Sequence, residues 1–162
     1  MDRLWSDLAS TDASKAYQAV WSLSDDPRAA AFLRQKMSPA KEPDKARLEQ
    51  LIAELDSDRF EVRTTAERVL AEFGELAAPA LEAASKAASS PEQRKRLDRL
   101  LAELKKGLSP PQLQQLRAVQ ALELANSAEA RQVLRDWAGG APGARLTMEA
   151  REALDRQDKH KK

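Results

Sequence analysis

The chain has 162 residues, enough to bury one core, but only 4% are aromatic, so that core must be built from Leu, Ala and Val. The 27 Lys and Arg residues almost balance the 26 Asp and Glu residues, and a net charge of +1 gives nucleic acid no strong overall attraction. Cysteine is absent, which excludes disulfides, thiolate nucleophiles and Cys-based zinc sites.

Taken in chain order, apolar residues recur at helical spacing between short runs rich in Pro, Gly, Ser, Asp or Asn. Leu48, Leu51, Ile52 and Leu55 illustrate the pattern at positions i, i+3, i+4 and i+7, which gives one buried stripe. The pattern predicts an all-α fold, with helices near residues 2–9, 12–24, 27–37, 44–55, 58–73, 76–88, 91–106, 110–125, 128–138 and 148–157.

Start and stop signals support these helices. Gly74 can take a positive φ angle and end a helix, and three polar pairs are spaced as capping boxes: Ser90 with Gln93, Ser109 with Gln112, and Asn126 with Glu129.

The irregular segments 38–43 and 139–145 are short for interdomain linkers, so we predict a single domain over 1–158. We expect the basic tail, 159–162, to be disordered. The N-terminal residues lack an uninterrupted apolar stretch, so we expect no signal peptide and no membrane insertion. The compartment stays open, with the cytoplasm favoured, and a helical pattern directly after Met1 suits a fragment of a larger protein.

Two distant stretches can be overlaid with a two-residue gap in the turn. The matched residues are Ala19, Val20, Leu23, Ala29, Phe32 and Leu33 in the first stretch, and Ala118, Val119, Leu122, Ala130, Val133 and Leu134 in the second. Each stretch is a helical hairpin that cannot bury its apolar stripe without a stacked neighbour. The repetition therefore predicts a solenoid.

The central segment Leu55–Ala66, continued through Leu70, Phe73 and Gly74 to Ala80 and Leu81, resembles the bacterial HEAT repeat. The resemblance implies an α-α superhelix of antiparallel hairpins, about ten helices in all. In that family an Asp before the first helix and an Arg within it commonly join a polar ladder between repeats, which implies this structural role for Asp58 and Arg63.

Nearly the whole chain is also similar to helical domains that follow WD-repeat propellers in some large multidomain bacterial proteins. The features that carry this similarity are Leu4-Trp5 through Ala19, the turn at 139–146 and the final helix. Members of that group have no assigned activity.

Few residues in the sequence are suited to catalysis. The single histidine, His160, lies in the terminal run, and no two acidic residues are placed to share an apolar cleft. Residues 56–67 have the acids of a calcium loop, but Phe60 fills a ligand position and Glu61 replaces the required glycine. We therefore predict a noncatalytic protein with no cofactor and no metal site.

Binding is the remaining class of function. The helix at 91–106 has a local excess of basic residues, and an alternative reading makes it a nucleic-acid contact through Arg94, Lys95, Arg96 and Arg99. No aromatic residue is interleaved there to stack on bases, so a solvated helix face is favoured over a nucleic-acid partner.

The leading hypothesis is a protein-binding or scaffold module in which the second helices of the hairpins line a shallow shared surface. The partner is a protein, which includes another domain of the same polypeptide. The residues we expect on this surface are Arg28, Lys36, Glu82, Lys86, Arg131 and Arg135. We also expect Trp21 and Trp137 to pack between helices, whereas the role of Trp5 stays open.

Overall fold

A computed structural model describes residues 1–159. It is built from α-helices, with no strand in this range, so the all-α prediction is confirmed. The helices are α1 Asp2–Leu8, α2 Ala13–Asp25, α3 Ala29–Lys36, α4 Lys45–Glu54, α5 Phe60–Phe73, α6 Ala78–Ala87, α7 Pro91–Leu104, α8 Pro110–Ala125, α9 Ala128–Ala138 and α10 Arg145–Lys159, with a short 3-10 turn at Gly74–Ala77. Of the tail predicted to be disordered, 160–162 lie outside the described residues.

The chain divides into two compact units. The split unit combines Met1–Lys41 with 108–159, and the central unit, central in sequence, is Glu42–Gly107. Each unit buries its own cluster of apolar side chains. The prediction of one domain stays a prediction, because compactness does not test whether either unit folds alone.

In the split unit α2 packs on α8 and α3 packs on α9, and α8 and α9 pack on each other as a hairpin, whereas α2 and α3 are not paired in this way. All the apolar positions matched between the two stretches are buried in one core, except Phe32, which is partly buried against it. Arg34 near the end of α3 pairs with Asp136 near the end of α9, so these two helices run parallel.

Two further helices complete the split unit. α1 packs against α2 and α8, and α10 packs against α8 and α9. Trp137 is fully buried, as expected, and Trp5 packs partly against the core. The expectation for Trp21 was wrong: 43% of its surface is exposed, because α2 buries the neighbouring stripe that includes Ala19 and Val20.

The central unit consists of two hairpins, α4–α5 and α6–α7. α4 packs on α6, and α5 packs on α7. Gly74 ends α5 with φ of 56°, the positive angle expected of it, and a 3-10 turn leads into α6. The resemblance to a HEAT repeat implied that the helices on either side of Gly74 form one hairpin, but each of them makes its hairpin with its other neighbour in sequence.

Two of the three predicted N-caps are correct. Ser90 Oγ accepts from the Gln93 amide, and the Ser109 amide donates to Gln112 Oε1 at 2.8 Å. The third was one residue off: Ser127 caps α9, while Asn126 ends α8 with φ of 45°, a conformation that asparagine tolerates better than most residues.

Two irregular segments, 38–43 and 139–145, contact each other in the split unit. The Ala141 amide donates to the Ala40 carbonyl at 2.8 Å. A Cβ added to Gly140 would lie 2.6 Å from Thr147 Oγ1 and 3.0 Å from the backbone N and O of Ala40. Only glycine fits this approach, which fixes the chain after α3 against the turn between α9 and α10.

We expect Gly140→Ala to lower the free energy of unfolding by about 1–3 kcal/mol, since backbone atoms must move to admit the methyl group. Chemical denaturation of the full chain measures the change. Gly107→Ala is the matched control, because a Cβ there meets nothing within 4 Å and its cost should stay within about 0.5 kcal/mol. Equal effects at the two sites would contradict the close approach.

Candidate protein-binding surface

The second helices of the split unit, α3 and α9, border an open groove of about 540 Å³, the α3–α9 groove. Its lining residues are Pro27, Arg28, Ala30, Ala31, Arg34, Gln35, Glu129, Gln132 and Val133. Ala30 and Val133 are buried, whereas Ala31 is exposed. The sequence placed a shared surface on these helices, and the structure places a groove with small side chains there.

Ion pairs surround this groove. Arg28 Nη2 lies 2.8 Å from Asp26 Oδ2, and Arg34 Nη2 lies 2.6 Å from Asp136 Oδ2. On the same helix, Lys36 Nζ pairs with Asp2 at 2.7 Å. The predicted surface cations are therefore balanced locally, and the groove does not present a strongly charged surface.

The Arg28 guanidinium and amide both donate to Asp26, and they lower the pKa of that carboxyl to about 2. A carboxylate whose pKa is lower in the folded than in the unfolded chain stabilises the fold at neutral pH. That contribution is fully present above the unfolded value near 3.8 and is lost as the pH falls through about 2.

Carboxyl NMR titration tests this pairing. We expect the Asp26 carboxyl to titrate with a midpoint near 2, and we expect Arg28→Gln to raise that midpoint toward the ordinary value of 3.8. Asp12, which caps α2, is a control in the same spectra, because Arg28 does not bond to it. An Asp26 midpoint unchanged by the substitution would contradict the assignment.

The other residues expected on the surface are placed differently. Arg131 is mostly buried and bonds Gln157 and Asp158 of α10, so its role in this structure is to tie α9 to α10. Arg135 is exposed and donates to Gln132 at 2.9 Å. Glu82 and Lys86 are exposed on α6 of the central unit and do not line the α3–α9 groove.

The two ladder residues have different surroundings. Arg63 Nη1 donates to the Ser57 carbonyl at 2.6 Å, and its Nε lies 4.0 Å from Glu92 Oε1 on α7. Asp58 is exposed and makes neither a hydrogen bond nor an ion pair within residues 1–159. Arg63 therefore links stacked helices, as a ladder residue would, but its acidic partner is Glu92.

The basic helix α7 uses much of its charge inside the central unit. Arg96 is buried and pairs with Glu67 of α5 at 2.6 Å and with Glu92 at 2.7 Å. Arg99 also pairs with Glu67, at 2.8 Å. Arg94 donates to the Ala88 carbonyl, and Lys95 is exposed. The four candidate nucleic-acid contacts thus do not form one free basic surface.

We expect Glu67→Gln to lower the free energy of unfolding by about 1–3 kcal/mol, because it removes the less exposed of the two carboxylates that pair with the buried Arg96. Denaturant titration measures this change. On the same helix Glu72 pairs with Arg68, and both side chains are exposed to solvent. Glu72→Gln should therefore lower the free energy of unfolding by less than about 0.5 kcal/mol. Similar changes in the free energy of unfolding for both substitutions would contradict a structural role for the ion pairs that Glu67 makes with Arg96 and Arg99.

Within residues 1–159, no group of three or more His, Asp or Glu side chains is placed to hold a metal ion. No helix in that range combines the length and apolarity needed to cross a bilayer. His160 lies outside the described residues.

Comparisons of the chain with family models, with curated proteins and with solved structures gave no match. The resemblances to the HEAT repeat and to helical domains that follow WD-repeat propellers therefore stay predictions.

Proposed function

We propose that this chain is a noncatalytic protein-binding module in which the α3–α9 groove receives a segment of a partner protein. The observation that carries the proposal is the groove itself: two stacked helices leave an open channel of about 540 Å³ at the position that the repeat pattern assigned to a shared surface. The partner is a protein, and it can be another domain of the same bacterial multidomain polypeptide.

The side chains of the groove suit contact with a peptide backbone. Pro27, Ala30 and Ala31 project little from α3, so a bound segment can approach the helix closely. Gln35 and Gln132 add neutral hydrogen-bonding groups beside this small-residue surface. An interface of this kind derives its affinity from shape and burial, with polar groups at the rim.

We also propose that the stacked hairpins belong to a HEAT-like superhelix. Support comes from the central unit, which stacks two hairpins, and from the split unit, in which α2 packs on α8 and α3 packs on α9. In the central unit Arg63 and Glu67 of α5 pair in order with Glu92 and Arg96 of α7, so these helices run parallel, like α3 and α9 in the split unit. Parallel stacking of equivalent helices is the packing of repeat proteins.

Protein binding is favoured over the nucleic-acid alternative because of how α7 is neutralised. A phosphate-binding helix needs several free cations, whereas Arg96 and Arg99 share Glu67 within the central unit. No specific contact in the described residues favours a nucleic acid over a protein.

Site-specific photocrosslinking tests the proposed surface. A benzophenone amino acid at the exposed Ala31 should give a discrete, saturable crosslink in lysate of the source bacterium, and mass spectrometry should identify a protein or another segment of the parent polypeptide. The same group at Ala83, an exposed alanine of α6, is the matched control. Identical products at both positions, or none at Ala31, would count against the groove as the binding site.

A further inference from the structure

We propose that a second face of the split unit, formed by α8 and α10, binds an amphipathic helix that carries basic residues beside its apolar stripe. The face contains an open groove of about 440 Å³, the α8–α10 groove. Its lining residues are Leu113, Leu116, Arg117, Gln120, Glu123, Leu124, Glu149 and Arg156. This proposal is independent of the α3–α9 groove.

The apolar part of the site comes from α8. That helix buries Ala118, Val119 and Leu122 in the core, yet it places Leu113, Leu116 and Leu124 along the groove on another side. Leu124 is 43% exposed. α8 already packs against α1, α2, α9 and α10, so the leucines that line the groove are apolar surface that these neighbours do not fill. The leucines are spaced over three turns, which is the reach of a helical partner.

An exposed aromatic pair lies on α2, which packs beside α8. Tyr17 and Trp21 are 64% and 43% exposed and pack edge to face, with ring centroids 6.0 Å apart. In the register that aligns Ala19 with Ala118, they correspond to Leu116 and Gln120, which line the groove. Because α2 and α8 run side by side, the aromatic pair lies on the equivalent side of its helix. Exposed aromatic residues are enriched in protein interfaces.

The charge of the groove determines whether its partner is expected to be basic or acidic. The Arg156 guanidinium bonds Glu123 at 2.7 Å and Glu149 at 3.2 Å, and it lies 3.5 Å from Glu152. Arg117 also lines the groove and donates to the carbonyls of Leu8 and Ser10, which are neutral and leave its charge in place. The three carboxylates and two guanidinium groups together carry one net negative charge. A basic partner complements this cluster, whereas an anionic lipid or nucleic-acid surface would be repelled.

Two synthetic probes test the inference on the full chain. One is a fluorescein-labelled 18-residue helix with leucines at i, i+3, i+4 and i+7 and lysines along one edge; the other has glutamate in place of each lysine. Fluorescence anisotropy should show binding of the lysine peptide, at least about tenfold weaker binding of the glutamate peptide, and weakening of the first by salt.

Two substitutions at exposed positions locate the site. Leu124→Ser and Glu152→Lys should each weaken binding of the lysine peptide by about tenfold, one through lost burial and the other through charge. Glu82→Lys on α6 makes the same change at an exposed position of the central unit and should have less than about a twofold effect. Circular dichroism before each titration confirms that the variants keep their helical content.

Equal affinity for both peptides, or affinity unaffected by Leu124→Ser and Glu152→Lys, would overturn the proposal. Preferential binding to vesicles that contain phosphatidylserine would also overturn the proposal, because an anionic membrane binds a basic protein surface and the proposed site is acidic. Ala31→Arg, which fills the α3–α9 groove, should leave peptide binding intact, so failure of one proposal is distinguishable from failure of the other.

Discussion

Close packing of helices through small side chains is the constraint on which the structure depends. A hairpin such as α8–α9 has one apolar stripe and no sheet to cover it, so it is stable only with other helices beside it. Buried alanines at positions such as 19, 30, 118 and 130 let the helices of the split unit approach closely. The same packing leaves the second helices with short side chains at the surface, and the α3–α9 groove follows from it.

Local helix signals predicted most of the architecture, because apolar spacing and capping residues act over a few positions. The capping interactions at Ser90 and Ser109 and the positive φ of Gly74 are of this kind. Pairing between distant helices depends on the whole chain. The sequence therefore matched the stretches 19–33 and 118–134, whose apolar positions share one core, but it did not indicate the division of the chain between two units. The packing of the helices around Gly74 also differs from the hairpin that the resemblance implied.

The candidate sites, like the helix pairing, could be predicted only in part from the sequence. Charges on α7 were visible in the sequence, but their neutralisation by Glu67 requires the packing of α5 on α7. Arg131 was expected on an open surface, and the position of α10 directs it inward instead. The clearest signal that the sequence analysis missed is α8, where Leu113, Leu116 and Leu124 add a second apolar side to a helix that already has a core-facing stripe. That excess was readable from the sequence before any coordinates.

The order in which the units are encoded has a consequence for biosynthesis. The partners of α2 and α3 are α8 and α9, which leave the ribosome only after the entire central unit has been made. At about 5–20 residues per second, α2 and α3 wait for several seconds without the helices that cover them, while α4–α7 can already assemble. The early helices of a nascent chain therefore expose apolar side chains during synthesis, although in the finished protein these side chains belong to a buried core.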